Sequence, residues 1–78
     1  MPTVLKIEPY RLYFFSHDLN EPPHIHVDKE NNTAKFWIDP VHLTRSVGFS
    51  AHELWKIEKI VIENKEKILE AWYGYFNN

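Results

Sequence analysis

From Ser50 to about Tyr75 the chain reads as one amphipathic helix, and that stretch constrains everything else. No proline follows Pro40, and Gly74 lies where a helix would be capped. Ser50-Ala51-His52-Glu53 has the form of a capping box: the serine side chain accepts from the N3 amide and Glu53 reaches back to the cap amide. At 1.5 Å per residue the helix spans roughly 35 Å. In a chain of 78 residues it must be a dominant part of one small domain, residues 1–78.

The helix carries two adjoining apolar stripes. Leu54, Ile57, Val61, Ile68 and Trp72 form the first. Trp55, Ile62, Leu69 and Phe76 recur every seven residues and form the second, with Tyr73 nearby. Together they cover about half the circumference. A small sheet covers one stripe easily. The second either meets a sheet that curls around the helix or docks on another chain.

The preceding residues supply the sheet. Residues 3–8 alternate as a half-buried strand, and Pro9 turns the chain into 10–16, a run rich in aromatics. There Leu12 and Phe14 share the inner parity, while Tyr13 and Phe15 face the other way with Arg11. Residues 16–23 form a loop of turn formers. Pro22 and Pro23 deliver the chain to His24 already extended. Strands over 24–29 and 33–39 are joined by a turn at Glu30-Asn31-Asn32, and a fifth strand over 41–47 follows Asp39-Pro40. In that strand Val41, Leu43 and Val47 oppose His42, Thr44 and Ser46. The expected fold is α+β: an antiparallel sheet of four or five short strands followed by one long C-terminal helix packed on it.

Composition excludes several classes. The net charge of −2 argues against a domain held on nucleic acid by bulk charge, though not against a local basic patch. With no cysteine there is no disulfide or thiolate metal site. The segment MPTVLKIEPY lacks the features of a signal peptide, and no apolar run is long enough to span a membrane. A cytoplasmic protein is expected.

Glu21-Pro22-Pro23-His24-Ile25-His26-Val27-Asp28 is where chemistry concentrates. On a strand, His24, His26 and Asp28 share a face. Two imidazoles roughly 6–7 Å apart along the strand can reach one metal ion, but Asp28, about 13 Å from His24, cannot join them. A third ligand would have to come from Glu21, His17, His42 or Asp39. None stands at a diagnostic spacing, so no metal and no cofactor is assigned. The same histidines, with Lys35 as a third catalytic candidate and Arg11 or Arg45 on the phosphate, could cleave RNA by acid–base chemistry without a metal. Alternatively, they are polar residues of a solvated or partner-covered sheet face.

Four segments carry a family resemblance: Met1-Pro2-Thr3-Val4, Glu21-Pro22-Pro23-His24-Ile25-His26-Val27, Ala34-Lys35-Phe36-Trp37-Ile38-Asp39-Pro40-Val41 and Gly48-Phe49-Ser50-Ala51. The chain resembles domain-of-unknown-function family 4160, a group of very small bacterial proteins. Members are often encoded beside a second small protein, as toxin–antitoxin pairs are, so the resemblance implies a partner-bound component of such a pair. It marks His24, His26, Lys35, Trp37 and Asp39 as positions to inspect. The expected function is therefore action through a protein partner or a homo-oligomer, with Trp55, Ile62, Leu69, Tyr73 and Phe76 as the contact. A histidine-dependent ribonuclease is the alternative, and a metal-binding module is third.

Overall fold

The computed structural model describes residues 3–15 and 18–76. Five strands follow one another as an antiparallel meander: β1 (Thr3–Ile7), β2 (Tyr10–Tyr13), β3 (His24–Lys29), β4 (Asn32–Ile38) and β5 (Val41–Val47), in the order β1-β2-β3-β4-β5. Two-residue connections close three hairpins, at Glu8-Pro9, Glu30-Asn31 and Asp39-Pro40. The positive φ of the β3–β4 turn falls on Glu30 (55°) and not on an asparagine, the residue type that tolerates it best, while Pro9 and Pro40 lie just past strand ends as their chemistry predicts. Between β2 and β3, Asp18–Asn20 forms a single 3-10 turn.

Pairing register sorts the side chains onto two faces. Leu12, Val27 and Ala34 stand side by side on the inner face, as do Ile25, Phe36 and Leu43. The helices close that face with Ile57, Val61, Ile68 and Trp72, all buried. Each fully buried large apolar side chain contributes about 1.5–3 kcal/mol relative to exposure. The first helical stripe is thus the core stripe. The other sheet face carries Arg11, Tyr13, His26, Asp28 and Lys35.

The expected single helix is two, α1 (Ala51–Glu63) and α2 (Lys65–Phe76). Asn64 divides them. Its side-chain amide donates to the Ile60 carbonyl at 2.8 Å, and its backbone N–H is shared between Ile60 O (3.1 Å) and Val61 O (3.2 Å). Asparagine competes for backbone acceptors in this way, which is why it interrupts a helix that no proline or glycine breaks. Helical bonding resumes at once, with Ile68 N–H donating to Asn64 O. No helix among the described residues is long and apolar enough to cross a membrane.

Ser50 caps α1, its Oγ accepting from Glu53 N–H at 3.1 Å. The Glu53 carboxylate goes elsewhere than the capping box would send it. It accepts from Tyr10 OH on β2 and from Lys29 Nζ on β3, both at 2.8 Å. That carboxylate ties the first turn of the helix to the sheet.

A bulge in β5 changes its pattern. Lys35 pairs with Arg45 but Phe36 pairs with Leu43, so Thr44 is the extra residue. Simple alternation groups Val47 with Val41 and Leu43 on the inner side. Beyond the bulge the parity inverts: Arg45 stands outward beside Lys35, and Val47 is 53% exposed.

Candidate functional site

The site is built where β3 begins. Pro23 prolongs the β3–β4 ladder, its carbonyl accepting from Ile38 N–H at 3.2 Å. The chain therefore enters His24 as strand, as the prolines require. Beyond the end of β2, Phe14 and Phe15 lead toward the 3-10 turn, which folds back over His24. Asp18 secures that fold-back twice: its backbone N–H donates to Phe15 O at 3.1 Å, and its Oδ2 accepts from Phe15 N–H at 2.8 Å.

His24 is completely buried. Its ring lies 5.0 Å from that of Trp72, 5.7 Å from Trp37 and 5.2 Å from His26, measured between centroids. Nδ1 is 3.0 Å from the Pro22 carbonyl, which can only accept, so Nδ1 carries a hydrogen. Nε2 lies 3.0 Å from Asp18 Oδ2, and His26 Nε2 lies 3.4 Å from the same oxygen. Both nitrogens are buried, and neither makes a hydrogen bond among the described residues. The separations suit charge interaction. A buried polar atom left unpaired costs about 1–3 kcal/mol, so two adjoining ones call for a reason beyond stability.

The electrostatics follow from this crowding. Burial pushes the Asp18 carboxyl up, but the Phe15 N–H and the two imidazoles outweigh it and hold the group below its usual range. Burial lowers His26 first of all; the nearby Asp18 opposes that shift without reversing it. His26 is thus held toward the neutral imidazole.

Beside this cluster, four residues form a row across the outer sheet face: Tyr13 on β2, His26 on β3, Lys35 on β4 and Arg45 on β5, each opposite the next in register. They line a cleft of about 230 Å³ together with Phe15, Thr33 and Ala34. The His26 ring stacks on Tyr13 (5.2 Å, 20° between planes) and meets the edge of Phe15 at 5.0 Å. Tyr13 OH donates to Asp28, so Asp28 orients the cleft wall and stays away from the histidine pair. Lys35 Nζ donates to Glu21 Oε1 at 2.6 Å. That bond, above all, draws the Glu21 carboxyl below its usual range.

His24, His26 and Lys35 therefore do come together, with Arg45 joined to them by the bulge. Arg11 stands one row away, opposite Asp28, its guanidinium carbon 5.1 Å from the Tyr13 ring centroid. His42 and Asp39 belong to a different groove with Pro22, Pro23, Trp37 and Pro40, and Asp39 also accepts from Lys65 Nζ at 3.2 Å. His17, named as a ligand candidate, lies outside the described residues. Asp18 is the residue that sequence reasoning missed. Six positions upstream of His24 and separated by two prolines, it has no periodic relation to the strand. Its one signal is an aspartate among turn formers, able to bond the backbone locally and fold the loop back.

On the helices, Trp55 (53% exposed), Ile62 (54%) and Tyr73 (50%) of the second stripe face outward, while Leu69 and Phe76 are partly buried against the core. Trp55 also borders a groove of about 290 Å³ with Phe36, Leu43, Ala51, Leu54 and Glu58. Its indole is flanked by Lys59, whose Nζ is 3.9 Å from the ring centroid, and by the stacked ring of His52 at 6.3 Å.

No curated protein and no solved structure matches the chain. A family model described as a domain of unknown function, DUF4160, matches residues 10–73, which takes in the whole histidine cluster, the cleft and nearly all of both helices. The chain belongs to the DUF4160 family.

Proposed function

We propose that this protein acts through a protein partner, as one component of a toxin–antitoxin-like pair, and that the outer stripe of its helices is the contact. The observation that carries this is the row of Trp55, Ile62 and Tyr73, three large apolar side chains each half exposed or more on one side of α1 and α2. Large apolar groups grouped on a small domain mark contact surfaces. Trp55 has the form of an anchor: an aromatic ring held between Lys59 and His52, next to a groove with an apolar floor. Light scattering after size exclusion, on the chain alone and co-expressed with the product of the neighbouring gene, tests the proposal. The complex is expected to form with the wild type and to be lost in Trp55→Glu and Ile62→Glu. A chain that stays monomeric and does not bind that neighbour overturns it.

A second function is supported by the Tyr13–His26–Lys35–Arg45 row. Two cations beside an imidazole, walled by Tyr13 and Phe15, suit a phosphate-bearing strand with a stacked base. Among the described histidines, His26 is the one that lines the cleft. His24, being fully buried, can only support it, so a ribonuclease built here rests on His26 rather than on a pair of surface histidines. Incubating RNA with wild-type, His26→Ala and Lys35→Gln/Arg45→Gln proteins separates the outcomes. Cleavage that both variants abolish supports the assignment; equal inertness of all three removes it.

A further inference from the structure

We propose that Asp18, His24 and His26 form a three-ligand site for a divalent first-row transition-metal ion of the zinc class. One donor atom from each residue lies within 4.8 Å of the others. With metal–ligand bonds of about 2.0–2.1 Å, neighbouring ligands of a tetrahedral ion stand about 3.3 Å apart. The two Asp18–histidine separations, 3.0 and 3.4 Å, bracket that value.

The state of His24 supports the assignment independently of the distances. Its Nδ1–H is given to the Pro22 carbonyl, which in the neutral ring leaves a lone pair on Nε2. That fully buried nitrogen lies 3.0 Å from a carboxylate oxygen and makes no hydrogen bond among the described residues. Two electron-rich atoms at 3.0 Å repel unless a cation lies between them. His26 Nε2 is likewise without a hydrogen bond among the described residues, 3.4 Å from the same oxygen. A histidine whose far nitrogen donates to a backbone carbonyl is the usual outer support of a metal ligand, and the Phe15 N–H plays that part for Asp18.

The donor set selects the ion. Two imidazoles and a single carboxylate suit zinc, cobalt, nickel or ferrous iron, whereas magnesium and calcium require mainly oxygen. Three protein ligands leave a coordination position for an outside ligand, the pattern of catalytic rather than structural sites. His26 also lines the Lys35–Arg45 cleft, so an anion held there would lie next to the ion.

The metal site does not depend on the partner surface, and it gives His26 a ligand's task rather than a base's. The protein, stripped with chelator, is titrated with zinc chloride by calorimetry and with cobalt by visible absorption. One ion per chain is expected, with a tetrahedral or five-coordinate cobalt spectrum. The melting temperature should rise by roughly 10 °C at a hundredfold excess over Kd. Asp18→Asn and His26→Gln are expected to weaken binding at least about tenfold. His42→Gln leaves it unchanged, and magnesium does not bind. Circular dichroism confirms folding of each variant; Asp18→Asn carries the test should His24 variants fail to fold. Absence of stoichiometric zinc in the wild type, or binding that survives Asp18→Asn, overturns the site. In either case the cluster is a charge pair around a shared proton. Loss of the partner complex, with zinc binding intact, would sink only the interface.

Discussion

His24 Nε2 and Asp18 Oδ2 lie 3.0 Å apart inside the protein with no hydrogen bond between them, because the ring has turned its Nδ1–H to the Pro22 carbonyl. The histidine is nonetheless a packing residue as well, wedged against Trp37 and Trp72. Both roles bear on what its removal does.

His24→Ala deletes a fully buried ring and leaves the Pro22 carbonyl without its donor. A loss of about 2–4 kcal/mol is expected from urea unfolding. His42→Ala, at an exposed position on β5, should stay within about 0.5 kcal/mol of wild type. Comparable losses for the two would mean that the buried cluster is not part of the packing.

The helix–sheet tie through Glu53 predicts a pH dependence. Hydrogen bonds from Lys29 first and Tyr10 second hold the Glu53 carboxyl below its usual 4.5. A depressed carboxyl adds stability that is present above about pH 4.5 and is lost as pH falls through the folded value. Lys29 is raised above 10.5 chiefly by its bond to Glu53, and Tyr10 is raised above 10.0 by burial and then by Glu53. Those two contributions are present below about pH 10 and disappear as pH rises through the raised values. Thermal melts of wild type and Glu53→Gln from acid to alkaline pH, roughly 3 to 11, should therefore differ most in the neutral range and converge at both extremes. A constant offset at every pH would show that the carboxylate's charge is irrelevant.

Gly48 has φ 91°, and a β-carbon there would collide with Asn32 Oδ1. The asparagine side chain can swing aside, but the backbone conformation cannot be relieved. Gly48→Ala should cost about 1–2 kcal/mol in chemical denaturation. An unchanged midpoint would place no demand on this turn between β5 and α1.

Ile57 and Ile62 stand five residues apart on α1 with opposite surroundings, 1% and 54% exposed. Ile57→Ala is expected to lose about 2–5 kcal/mol, and Ile62→Ala no more than about 0.5 kcal/mol in the isolated chain. Denaturation of the two variants side by side checks which helical stripe is core. A large loss at Ile62 would mean that the outer stripe is already buried, as in a self-association that dilution should reverse.

Local chemistry in the sequence determined the elements. Alternation marked the strands, dipeptide turns marked the hairpins, and the first stripe of the C-terminal segment marked its core residues; the second stripe divides, with Leu69 and Phe76 against the core and Trp55, Ile62 and Tyr73 outside. Those signals act over a few residues, so they are readable without a fold. The break at Asn64 is not among them, because it comes from a side-chain bond to Ile60 that competes with a helix its neighbours favour. The site belongs to tertiary structure. Asp18 meets His24 and His26 only because a 3-10 turn folds back over the start of β3. Arg45 reaches Lys35 only because one extra residue in β5 inverts the parity of the residues beyond it. Neither a loop's return path nor a bulge has a period, and pairing with a distant strand decides both. The His24-Ile25-His26 motif thus marked the strand to inspect, while the folded chain alone decided which carboxylate and which cation stand beside it.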